Sequence, residues 1–299
     1  MARRPDSQPD IATHSLSVLL RDTLSSGRKP LDTPDIGDAV VVHDLRKTFK
    51  RWRALLRLVA PVVGAEAETL RIEARDLARE MASARDSDAA VEALADFGDP
   101  PSLSARFRAS IEARIAEAAG AEGTALSQAL KARMRDALLR AATAAEQWPL
   151  DRFDCEEATR QLTATYRRAC AAIPRDWSKA GAETLHQLRR RVVEHRYQME
   201  LVEPAWPKLI RLWVSEAQRL RDRLGSYQDL VVLQGLAAPH QPLAHWRARL
   251  TPLIVARQAD HVAGAQRLAG RLFAERPKAF RRRIAALWQH RADTGAKIG

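Results

Sequence analysis

Five basic residues are spaced to hold a row of negative charges: His43, Arg46, Lys50, Arg53 and Arg57. A helix turns about 100° per residue, so they fall at roughly 0°, −60°, −20°, −80° and −40°, inside one narrow arc. The stripe runs for about 21 Å at 1.5 Å per residue, enough to meet several anionic groups in succession. Residues 46 to 57 contain six bases and no acid. Like charges at helical neighbour spacing each cost a few tenths of a kcal/mol, so their concentration points to a ligand that compensates them. Arginine dominates, and its planar guanidinium donates two parallel hydrogen bonds to one phosphate group. The chemistry on offer is oxyanion binding, with phosphate preferred over a lone carboxylate.

The stripe has an echo. Shifting the chain by 143 residues lays HDLRKTFKRWRALLRLVAP, from His43, on HQLRRRVVEHRYQMELVEP, from His186, with seven of nineteen positions identical. The same shift pairs Glu73 with Glu216, Leu77 with Leu220, Ser83 with Ser226 and Asp86 with Asp229. A duplicated unit accounts for this better than coincidence. In the second copy His186, Arg189 and Arg196 keep their places, Val193 stands where the first copy has Lys50, and Glu200 stands where it has Arg57. Arg190 and Arg191 add charge beside the arc and Glu194 removes some, so the first stripe is expected to contribute more.

A helix must carry each stripe. Val41, Leu45, Phe49, Trp52, Leu55, Leu56, Val59 and Val63 lie on the far side of the first one, forming an apolar face that packs inward. Spacings of three and four persist almost throughout, which predicts an all-α fold. Helices are expected near 11–26, 38–63, 66–97, 100–118, 124–147, 153–173, 179–203, 206–224, 227–237, 242–273 and 276–292. Breaks are read at Gly98-Asp-Pro-Pro101, Gly120, Trp148-Pro149, Pro174, Gly235 to Pro239 and Pro277. The duplication implies one domain, 10–295, made of two pseudo-symmetric helical bundles of the four-helix type, 10–148 and 149–295.

Composition sets the class of partner. Hydrophobic residues at 46% and charged residues at 29% describe a globular chain. The 49 Lys and Arg against 37 Asp and Glu give a formal charge of +12, which favours a polyanion or an anionic surface. No apolar run has signal-peptide or membrane-spanning length, so a cytoplasmic location without a transmembrane segment is expected. Cys155 and Cys170 would be roughly 22 Å apart on one helix, too far for a disulfide, and read as reduced thiols. No Cys/His spacing resembles a metal site, and neither a phosphate-binding glycine loop nor H-E-x-x-H occurs. Catalysis, metals and cofactors are therefore not expected. Nucleic acid is the rival ligand, since any phosphodiester would release counterions on the stripe. Against it, aromatics are only 5%, and Phe49 and Trp52 lie on the apolar side, which leaves no base-stacking platform.

The paired histidine helices resemble the CHAD domain, the conserved-histidine α-helical domain, through VHDLRKTFKRWR at 42–53, LHQLRRRVVEHRY at 185–197, ARDSD at 84–88 and LGSYQD at 224–229. The resemblance implies two four-helix bundles with basic helices lining a central channel or groove, and inorganic polyphosphate as ligand. By that similarity His43, Arg46, Lys50, Arg53, His186, Arg189 and Arg196 would contact phosphates, with Arg57 and Arg190 as extensions. Arg167 and Arg168, after Tyr166, would add the basic patch on the preceding helix. Association with polyphosphate granules or polyphosphate-metabolising enzymes would follow. Some proteins with this domain also carry a triphosphatase domain marked by an E-x-E-x-K strand. The nearest string here, Glu66-Ala-Glu68-Thr-Leu70, lacks the lysine and lies in a helical pattern.

Overall fold

A computed structural model describes residues 10–81, 85–98, 103–119 and 126–295. Within them there are eleven α-helices and no strand. They are α1 (Ile11–Asp32), α2 (Asp38–Val63), α3 (Ala65–Glu80), α4 (Arg85–Asp96), α5 (Ala105–Ala119), α6 (Gln128–Glu146), α7 (Cys155–Ala171), α8 (Ala182–Met199), α9 (Pro207–Leu236), α10 (Arg247–Leu272) and α11 (Pro277–Gly295). Local chemistry sets their starts. Asp10 accepts from the Ala12 N–H at 2.8 Å, Ser127 from Leu130 at 3.1 Å and Asp154 from Glu157 at 2.8 Å, each satisfying an amide the first turn leaves unpaired.

The apolar face expected of α2 is buried: Val41, Leu45, Phe49, Trp52, Leu55, Leu56 and Val59 all enter the main core. Trp52 stacks on Trp148 with ring centroids 6.0 Å apart, and the Trp148 indole N–H donates to Glu66 at 3.0 Å. That core draws on both sides of residue 148, from Leu16 to Trp288. A second apolar cluster joins α4 and α5 to the later part of α9 and the start of α10, through Leu94, Phe107, Ile111, Leu230, Leu233, Leu250 and Ile254. Helices read as neighbours in sequence thus exchange partners across the midpoint.

Three boundaries differ from the sequence expectation. α1 continues through Gly27 and Pro30 to Asp32, because Gly27 is where α1 passes Thr48 of α2, leaving no room for a Cβ. The stretch 66–97 is two helices, α3 and α4. The two helices expected at 206–224 and 227–237 are one, α9, which runs straight through Gly225-Ser226. Ser83 and the breaks at 99–102 and 120 lie outside the described residues, as does the side chain of Asp86. Cys155 and Cys170 both sit on α7 and are free; burial, with the Asp10 carboxylate beside it, pushes the Cys155 thiol up to about 12.

Candidate anion-binding site

With the α2 core face packed against α1, α3 and α8, His43 and Lys50 are exposed, while Arg46, Arg53 and Arg57 are half-buried. Gly64 turns the chain at the end of α2 with φ of 79°, a left-handed value that a side chain would strain. In the resulting hairpin, residues equally far from the turn lie at similar height. Arg57 and Arg71 are seven residues either side of Gly64, and Arg53 and Arg75 are eleven.

Arg53 is the centre of this arrangement. Burial, followed by the charges of Arg57, Arg71, Arg190 and Arg75, pushes its guanidinium down to about 10. Among the described residues it makes no ion pair, and its Nε is buried without a hydrogen-bond partner. Three helices, α2, α3 and α8, thus converge cations on a group that no described carboxylate meets at ion-pair distance; Asp76, bonded to Arg75, acts on it only from farther off. Arg71 and Arg75 are the residues sequence reasoning missed. Their helix mixes signs, and both do find local acids: Arg71 Nε donates to Glu68 at 2.7 Å, and Arg75 donates to both oxygens of Asp76 at 2.8 and 3.2 Å. Their positions opposite Arg57 and Arg53 across Gly64 were the available signal.

One turn along α2 the picture reverses. Arg57 Nη1 lies 3.5 Å from the buried carboxylate of Glu194 on α8, which Arg168 approaches to 3.3 Å and Arg191 to 3.4 Å. Three of the cations assigned to the stripes and their margins therefore share one internal anion. Glu200 plays the same part for Arg51, at 2.7 Å, and for Arg196, at 3.9 Å. Burial raises the Glu200 carboxyl, and the two arginines oppose it. Arg196, expected to contact phosphate, and Arg57, expected as an extension of that contact, are thus engaged by carboxylates of the protein, whereas Arg53 is not.

The two stripes also run in opposite directions. Gln198 Nε2 donates to the Ala54 carbonyl at 2.8 Å in a buried bond; Arg51 meets Glu200, and Arg57 meets Glu194. Advancing along α2 means retreating along α8. His43 and His186, each in the second turn of its helix, are displaced to opposite sides of this crossing, each by roughly 16–18 Å along its axis at 1.5 Å per residue. Of the other expected contacts, Arg190 is exposed and donates to Gln187 at 3.4 Å, and Arg167 is exposed. Arg46, Lys50, His186 and Arg189 are engaged by neighbours. The Arg189 guanidinium crosses α9 at Gly225, where a Cβ would lie 3.2 Å from it; this close approach is why a glycine interrupts the helical pattern without ending the helix.

Among the described residues no group of His, Cys, Asp and Glu could hold a metal ion, and no helix is long and apolar enough to cross a membrane. A family model for the CHAD domain matches residues 33–238. The fold is similar to the crystal structure of the CHAD domain from the plant Ricinus communis, with a TM-score of 0.61 and 18% identity, covering 92% of this chain and 96% of that one. A search of curated proteins returned no match.

Proposed function

The chain belongs to the CHAD domain family, a family associated with polyphosphate binding, and from that premise we propose that it binds inorganic polyphosphate at the arginine cluster of α2, α3 and α8. The observation that carries this reading is Arg53. A desolvated guanidinium among four other arginines costs stability in the free protein, and an incoming phosphate chain removes that cost while gaining charge-assisted bonds. His43, Arg46, Lys50, His186, Arg189 and Arg190 extend the contact toward either end, and Arg71 and Arg75 join it. Glu194 and Glu200 hold Arg57, Arg168, Arg191, Arg51 and Arg196 in place beside it. The role is binding without chemistry, and it would bring the protein to polyphosphate granules in the cytoplasm.

Calorimetric titration of the parent and an Arg46→Glu, Arg53→Glu double variant with polyphosphate tests this. Loss of about a thousandfold or more in affinity is expected for reversing two half-buried charge contacts; a loss below about tenfold removes these residues from the site. Nucleic acid is the competing ligand. Duplex or single-stranded DNA that displaces polyphosphate at equal phosphate concentration would overturn the choice of ligand, because both chains share the same salt-dependent attraction.

A further inference from the structure

The central cluster does not hold most of the surplus charge. Residues 247–295 contain eleven Lys and Arg against three Asp and Glu, so eight of the twelve net positive charges fall on α10 and α11. Both helices lie beyond the residues matched by the family model. Where they meet, Arg276, Lys278, Arg281 and Arg282 are exposed at the start of α11, and Arg267 and Arg271 are exposed on the last turns of α10. Of these six, only Arg271 has an acidic partner among the described residues, Glu216 at 3.4 Å. Glu275, the acid of the corner, turns instead to Arg283, at 3.1 Å.

Helix stability does not explain these charges. A first helical turn favours acids, and α11 has none there, so its cations work against the local field. Nor does the corner suit a bilayer or a nucleobase. The large apolar side chains exposed among the described residues are Val40, Ile72, Val91, Leu139, Trp206, Leu212 and Val255, none of them on α11 or the last turns of α10. With nothing to insert and nothing to stack, charge complementarity to a bare phosphate chain remains. The corner is also docked on a helix of the central site. The Tyr166 hydroxyl donates to the Glu275 carbonyl at 3.0 Å and its ring stacks on Phe280 at 4.1 Å, while two residues on, Arg168 reaches Glu194.

We propose that the α10–α11 corner is a second anion site, which takes a further stretch of the same polyphosphate chain whose nearer part lies on the Arg53 cluster. The inference rests on the polyphosphate reading above. Short chains then bind the cluster alone, whereas long chains also engage the corner, at the high effective concentration set by the linking phosphates.

The test titrates the full chain with tripolyphosphate and with long-chain polyphosphate, comparing the parent with Arg281→Glu/Arg282→Glu and with Arg21→Glu/Arg211→Glu. The last pair makes the same change in net charge elsewhere. Expected for the corner variant is parental tripolyphosphate binding, long-chain affinity down by about tenfold or more, and a long-chain salt slope reduced by about two. The control variant should bind long chains like the parent. Long-chain binding unchanged in the corner variant overturns the second site and leaves the Arg53 reading intact. An equal loss in both variants, or at both chain lengths, also overturns it, since a general field would then suffice. A parent that binds neither chain fails the underlying reading instead. Phosphatidylserine vesicles that bind the parent and not the corner variant, and that exclude long chains, would reassign the corner to lipid and overturn the proposal.

Discussion

Arg53 and Arg57 stand one turn apart on the same helix, carry the same side chain and face the same cluster of arginines, yet one is answered and the other is not. Glu194 reaches Arg57 from α8, together with Arg168 and Arg191; no described carboxylate comes within ion-pair distance of Arg53, and Asp76 acts on it only from farther off. The difference teaches that a row of like charges on one helix is not one functional unit. The packing partner divides it into a framed end, where internal acids fix the geometry, and an open end, where the field is left for a ligand.

The largest effect should come from breaking the open end. The Arg53→Glu change alone is expected to weaken polyphosphate binding by about 2–5 kcal/mol, whereas Arg57→Gln, read in the same calorimeter, should cost binding much less and folding more. Equal losses of affinity would erase the distinction. Next comes the framed end. Glu194→Gln leaves three arginines, two of them half-buried, around an uncharged buried amide, and the unfolding free energy in urea should drop by about 3 kcal/mol. A drop under about 1 kcal/mol would mean that the cage holds nothing in place.

A smaller effect concerns a second framed cluster, away from the stripes. Asp96 on α4 accepts from Arg257 at 2.9 and 3.0 Å and sits 2.6 Å from His261, both on α10. Burial opposes the charged form, but the bonds from Arg257 and His261 outweigh it and hold the carboxyl below its usual value of 3.8. A carboxyl whose folded value is depressed contributes stability that is complete above the unfolded value and is lost as pH falls through the folded one. Asp96→Asn should therefore cost about 1–2 kcal/mol at pH 7. The gap from the parent should narrow as pH falls below 3.8, and a gap independent of pH would show that charge plays no part. Smallest is Gly225→Ala. It gains up to about 1 kcal/mol of helix propensity, but its Cβ would displace the Arg189 guanidinium from 3.2 Å. Binding should weaken by about threefold while thermal stability holds or rises, a separation of two readouts that a purely structural glycine would not give.

Much of the fold was legible because helical periodicity is a local property. The spacing of Val41, Leu45, Phe49, Trp52, Leu56 and Val59 requires a helix with one buried face whatever packs on it, and the boundaries of α2 follow from Gly37 and Gly64. Where local signals misled, a distant element was responsible. Gly225 reads as a break, yet it is a passage for Arg189; Gly27 reads as an end, yet it is where α1 crosses Thr48. The site divides the same way. The basic arc of α2 follows from residue numbers alone, and so, in hindsight, does the pairing of Arg71 and Arg75 with Arg57 and Arg53 across a hairpin turn.

The sequence by itself determined that this chain folds as helices with charged arcs, since both facts depend only on the angle between neighbouring residues. Only the tertiary structure decided which of those charges remain available. Coulomb attraction acts through space over a few ångströms, and Glu194 and Glu200 come that close to Arg57 and Arg51 because α2 and α8 cross in opposite directions, a relation that no spacing along either helix encodes.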